Sequence, residues 1–134
     1  MKLLLDTNVL IAAVITRGFC AELFEHCVRS HTLITSKFII KEFHEKMISK
    51  FYFSKKEAKE VENLIFSRME IVKPLPVEPS ECPDPNDTEV LGTALEGECQ
   101  FLITGDKALI KLGHFEGVEI LSPSQFWRRE SFSQ

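Results

Sequence analysis

The stretch KLLLDTNVLIAAVI, residues 2–15, joins a strand-length apolar run to a helix-length one through Asp6, Thr7 and Asn8. A buried carboxylate costs several kcal/mol unless its charge is compensated, so Asp6 requires either exposure or a cation. KLLL as a buried strand, with residues 9–15 forming a helix that packs back on it, meets that requirement. Asp6 then falls at the end of the strand.

Outward from this unit the apolar spacing keeps changing period. In FCAELFEHCVR (19–29), Cys20, Leu23, Phe24, Cys27 and Val28 recur at helical spacing, and TLIT (32–35) is a second strand. Ser36 is placed to cap a helix to about residue 50, with Ile39, Ile40, Phe43 and Met47 inward. Ser54 is placed to cap another through about residue 69, with Ala58, Val61, Leu64 and Ile65 inward, and EIVK (70–73) follows as a third strand. The connection PLPVEPSECPDPND (74–87) holds five of the six prolines and is extended rather than regular. Beyond it the pattern predicts a helix over 86–98, a strand QFLIT, a short helix after Asp106, a strand VEIL, and a last turn or helix begun by SPSQF. Strands separated by helices imply an α/β fold whose parallel sheet is covered on both faces.

With 134 residues, 44% of them hydrophobic, the chain is expected to form one domain spanning 1–134. No segment approaches the ~20 apolar residues that span a bilayer, and the start lacks the pattern of a signal peptide. A soluble, cytoplasmic protein with no membrane partner is expected. Cys20, Cys27, Cys82 and Cys99 include no CxxC pair and are expected as reduced, partly buried thiols. His26, His31, His44 and His114 are scattered and are expected at the surface or at helix ends, making no metal cluster. The net charge of −4 argues against a general nucleic-acid coat protein. Locally, however, Lys37, Lys41, Lys46, Lys50, Lys55, Lys56 and Lys59 form a basic section whereas residues 78–98 are acidic, with two solvated surfaces as the competing reading.

In doubly wound sheets, ligands bind beyond the carboxyl ends of the strands, near the point where strand order reverses. Asp6 and Asp106 of ITGD occupy such ends, although each alone reads equally well as a turn or cap residue. Asp87 is more telling. NDTE has the form of a capping box with Asn86 as N-cap and Glu89 three places on, which puts Asp87 in the first helical turn. Lying three before Val90 and four before Leu91, Asp87 points along the apolar face while Glu89 points away. A helix-dipole interaction of ~0.3–1 kcal/mol would be had at an exposed position too, so the inward carboxylate favours a site. Glu42 is not chosen by periodicity, because a solvated helix face accounts for it as well as for Glu45. Carboxylates converging at strand ends repel one another unless a cation binds, and an all-oxygen site suits Mg²⁺ or Mn²⁺. The natural chemistry is metal-assisted attack of water on a phosphodiester.

With these residues in place, the chain resembles the PIN-domain family, and within it the VapC-type toxin ribonucleases of toxin-antitoxin pairs. The likeness is carried by LLLDTNVLIAA (3–13), ITSKFIIKEF (34–43), DPNDTEVLGTALEGECQFLITGDKAL (84–109) and GVEILSPSQF (117–126). It implies a three-layer α/β/α sandwich around a parallel sheet of about five strands in the order 3-2-1-4-5, which sets strands one and four side by side and brings Asp6 to Asp106. It also implies acidic metal ligands at Asp6, Glu42, Asp87 and Asp106, with Asn8 or Thr104 positioning substrate or water. A homodimer and an antitoxin protein that covers the groove belong to the same expectation. Ala108 in TGDKAL departs from the pattern, since many relatives carry a second acidic residue there. Asp84 is the candidate outer-sphere replacement, with a plain turn as its competing role.

The combined expectation is an endoribonuclease in which Asp6, Asp87 and Asp106 hold Mg²⁺ or Mn²⁺ and Glu42 binds metal or orients the attacking water. Lysines of residues 37–59 would contact RNA phosphates. Phe51, Tyr52 and Phe53 offer rings for base stacking at ~1–3 kcal/mol each, with core packing as the competing use. One alternative is a non-catalytic PIN-fold binding protein acting through a partner, which Ala108 and the acidic total charge keep open. Another is a phosphatase or receiver domain with a reactive Asp6, disfavoured because DTN lacks a second aspartate two residues on.

Overall fold

The leucines of KLLL form strand β1 (Lys2–Leu5), and Leu3, Leu4 and Leu5 are essentially inaccessible to solvent. Such a strand requires cover on both faces, which helices supply. The computed structural model describes residues 1–132; Ser133 and Gln134, the last two of the expected 1–134 unit, lie outside the described residues. After β1 come α1 (Thr7–Ile15), α2 (Phe19–Ser30), β2 (Thr32–Thr35), α3 (Lys37–Ser49), α4 (Lys55–Phe66) and β3 (Glu70–Ile71). The proline-rich connection leads to α5 (Thr88–Glu96), β4 (Phe101–Ile103), α6 (Lys107–Leu112), β5 (His114–Phe115), β6 (Val118–Leu121) and α7 (Pro123–Phe132).

The sheet runs β3-β2-β1-β4-β6-β5, parallel except for β5, which is antiparallel to β6. The result is an α/β/α sandwich in which α1 packs on α2 and α3 while α5 lies against β1 and β2. The expected order holds for the five parallel strands, with VEIL as the fifth. The sixth strand is a correction. His114 and Phe115 turn back onto β6 through Glu116 and Gly117, both at positive φ (45° and 90°), the backbone a two-residue hairpin turn demands.

Three further expectations shift. Helix α4 carries the capping box at Ser54 and Glu57 but stops at Phe66, which is buried edge-on to Phe43, and Leu64 is 72% exposed instead of inward. Ser36 makes no side-chain cap bond; its hydroxyl lies 2.9 Å from that of buried Thr93. Phe51 and Phe53 pack partly against the core, leaving Tyr52 exposed at φ 60°. All four cysteines are free, Cys27 and Cys99 buried. Among the described residues no single helix is long and apolar enough to cross a membrane.

The connection before α5 is held close to it. Leu75 N–H donates to the Gly92 carbonyl at 3.0 Å, and a Cβ on Gly92 would stand 2.2 Å from the Leu75 carbonyl oxygen. Gly92→Ala is therefore expected to cost about 1–3 kcal/mol in urea unfolding, as overpacking against backbone does. Unchanged stability would mean that the connection moves aside freely.

Candidate metal centre

Leu5 pairs with Ile103 across the β1–β4 ladder, and the Asp6 N–H extends it by donating to the Ile103 carbonyl at 3.0 Å. Asp6 and Thr104 are thus the first residues past two adjacent parallel strands. Thr104 is fully buried; its hydroxyl donates to Asp6 Oδ2 at 2.7 Å and accepts the Asp106 N–H at 3.0 Å. One hydroxyl fixes a carboxylate and the backbone of the next acidic residue. Asp6 Oδ1 accepts from Thr7 N–H at 2.8 Å as the N-cap of α1, and Asp106 Oδ1 accepts from Ala108 and Leu109 N–H at the start of α6.

Glu42 enters from α3 and accepts a short hydrogen bond from the hydroxyl of Thr7, which is 1% exposed. One turn further, Lys46 Nζ donates to Asn8 Oδ1 at 3.3 Å. Burial raises the Asp6 carboxyl above its ordinary range; the Thr104 and Thr7 bonds pull it back, while the Glu42 charge pushes it up and the Lys46 charge opposes that.

Asp87 arrives by a different local route from the one expected. A 3-10 turn, Pro85–Asp87, precedes α5, with Asp84 accepting the Asn86 N–H at 2.9 Å. Asn86 is not the cap, and Asp87 itself occupies the N-cap position without a side-chain cap bond. Asp84–Pro85 outcompetes the NDTE box because proline suits the first helical position and aspartate the position before it. The inward orientation survives. Asp87 Oδ2 is buried and has no hydrogen-bond partner among the described residues, while Glu89 is exposed. Burial, followed by the charges of Asp106, Asp84 and Asp6, pushes the Asp87 carboxyl up to about 6.

Asp6, Glu42, Asp87 and Asp106 thus share one electrostatic neighbourhood at the carboxyl end of the sheet. Of the two positioning candidates, Thr104 is buried behind the carboxylates and Asn8 is exposed beside Lys46. Asp84 serves as a turn cap that also loads Asp87 with charge. Reasoning from sequence missed Thr7, read only as part of DTN, and the specific place of Lys46; the i, i+4 spacing from Glu42 was the available signal for the lysine.

Among the described residues, the His, Cys, Asp and Glu atoms that approach within 4.8 Å of one another as a group of three are those of His26, His31 and Glu130. This corrects the expectation of scattered histidines. The carboxylates at the strand ends do not form such a group of three among the described residues. A hard cation fits there on donor chemistry: carboxylate oxygens and one orphaned buried acceptor.

The model of the PIN domain matches residues 2–108. No curated protein matches the chain in sequence. Among solved structures, VapBC2 from Rickettsia felis, bound to a DNA fragment from their promoter, is similar at TM-score 0.68 and 18% identity, over 90% of this chain and 97% of that one. PAE2754 from Pyrobaculum aerophilum is similar at TM-score 0.63 and 14% identity, over 98% of this chain and 90% of that one.

Proposed function

Because the chain belongs to the PIN domain family, we propose that it is a divalent-metal-dependent endoribonuclease of the VapC type, the toxin member of a toxin-antitoxin pair. The observation that carries this is Asp87 Oδ2, buried without a hydrogen-bond partner among the described residues and facing the charges of Asp106 and Asp6. An orphaned carboxylate oxygen costs stability, and a cation is what removes the cost.

Asp6, Asp87 and Asp106 would hold Mg²⁺ or Mn²⁺, with Glu42 as a further ligand or as acceptor for the attacking water. When bound, the cation lowers the pKa of water and offsets charge at the phosphorus. The chain's own residues do the rest. Thr104 locks the Asp6 carboxylate in place, Thr7 does the same for Glu42, and Lys46 supplies positive charge beside Asn8 where a phosphate would approach. Lysines of α3 and α4 would contact the RNA backbone, which positions without reading sequence. Tyr52, the exposed ring of its trio, is free to stack on an unpaired base.

Under this proposal the protein works in the cytoplasm as one PIN unit, as a homodimer, restrained by an antitoxin. The Rickettsia felis relative, a VapBC pair, supports the partner. The deciding experiment is RNA cleavage by the purified protein in Mg²⁺ or Mn²⁺ beside the same protein in EDTA. Cleavage confined to the metal samples is expected. Failure of the wild type to cut in Mn²⁺ that calorimetry finds bound would favour a non-catalytic binding protein.

A further inference from the structure

We propose that His26, His31 and Glu130 form a second metal site, selective for Zn²⁺ or a similar borderline ion and separate from the carboxylate centre. The three residues come from α2, the residue before β2, and α7. His26 Nε2 lies 2.9 Å from Glu130 Oε1, and His31 Nε2 makes a shorter contact with the same oxygen. Side-chain exposures of 16%, 8% and 13% make the group largely withdrawn from water yet reachable.

The two imidazole nitrogens and the carboxylate oxygen all lie within 4.8 Å of one another, and a tetrahedral ion with Zn–N and Zn–O distances of about 2.0–2.2 Å would set them about 3.3 Å apart. A small outward movement of Glu130 makes room. The rings are held for this. His26 stands edge-on to Trp127 at 5.3 Å and His31 edge-on to the fully buried Phe126 at 5.9 Å. Two nitrogens and one oxygen suit Zn²⁺, Co²⁺ or Ni²⁺ and disfavour Mg²⁺, so the two centres would sort their ions by chemistry. Water completes the fourth position, and zinc displaces the protons that the imidazoles now share with Glu130.

His31 precedes β2 whereas Asp6 follows β1, and the two strands are parallel with Lys2 paired to Thr32, so the sites sit at opposite ends of the sheet, about 17 Å apart along the strand direction. The ion would clip α7 to α2 and to the start of β2, a structural role independent of the nuclease proposal.

The test is calorimetric titration of Zn²⁺ into the full chain in excess Mg²⁺, repeated with His26→Gln and His31→Gln. One Zn²⁺ per chain is expected, weakened at least about tenfold in each variant. Because a variant can lose binding by losing its fold, the histidine ring resonances of the wild type are followed as well; zinc should shift His26 and His31 and leave His44 and His114 in place. No zinc binding in Mg²⁺, undiminished affinity in both variants, or shifts at the other two histidines would overturn the site.

Discussion

Asp6→Asn is expected to slow metal-dependent RNA cleavage by about 10²–10³-fold under single-turnover conditions, while the protein stays folded. The substitution suits the test because Asp6 has two separable jobs. Its Oδ1 caps α1 by accepting the Thr7 N–H, a task asparagine performs about as well. Its Oδ2 faces Thr104, whose hydroxyl can accept from an asparagine amide beside the Asp106 N–H it already accepts, at the cost of the acceptor its own O–H now has. What changes is the charge offered to a cation. Thr104→Val leaves all four carboxylates present but frees Asp6 to rotate, and is expected to cost about 10–100-fold through weaker metal binding, partly recovered at high Mn²⁺. Asp6→Asn with wild-type cleavage and wild-type circular dichroism would remove the carboxylate cluster from the chemistry.

How much of this was legible depends on how local each cause is. The interruption at Asp6 is local: an apolar run ended by a carboxylate forces a strand end, and the strand end carries the proposed site. Asp87 was readable for direction but not for mechanism. Its inward face followed from Val90 and Leu91, whereas the true helix start lay in the Asp84–Pro85 pair, whose cap competes with NDTE for the same backbone. The two-residue strand β5 left almost no signal, because its pairing depends on positive φ at Glu116, a residue that seldom takes it. Glu42 was invisible to periodicity since what singles it out is Thr7, 35 residues away. The histidines are the extreme case. His26 and His31 reach Glu130 across separations of 104 and 99 residues, so no pattern along the chain could pair them. The strand order came from family resemblance and not from the residues themselves; nothing in a buried leucine run states which neighbour it will choose.

The same buried charge that supports the site should weaken the metal-free fold, and Asp87→Asn should therefore raise thermal stability in EDTA. The Asp87 carboxyl is pushed up to about 6 in the folded chain, by burial first and then by Asp106, Asp84 and Asp6, from an ordinary value of 3.8. The folded state thus prefers the protonated form. That preference stabilises fully below about pH 4 and is lost as pH rises through about 6, so at about pH 7.5 the ionised group is a liability. Asparagine keeps the shape and removes the charge. The gain is expected at about 1–2 kcal/mol, less than the whole shift would give because solvent screens a partly exposed group, and amounts to several degrees in Tm. Mn²⁺ should narrow or reverse the ranking, raising the Tm of the wild type more than that of the variant, which keeps Asp6 and Asp106 but has lost one of the three proposed ligands. A lower Tm for Asp87→Asn in EDTA would show that the carboxylate already has a partner in the free protein, and the strain attributed to Oδ2 would not exist.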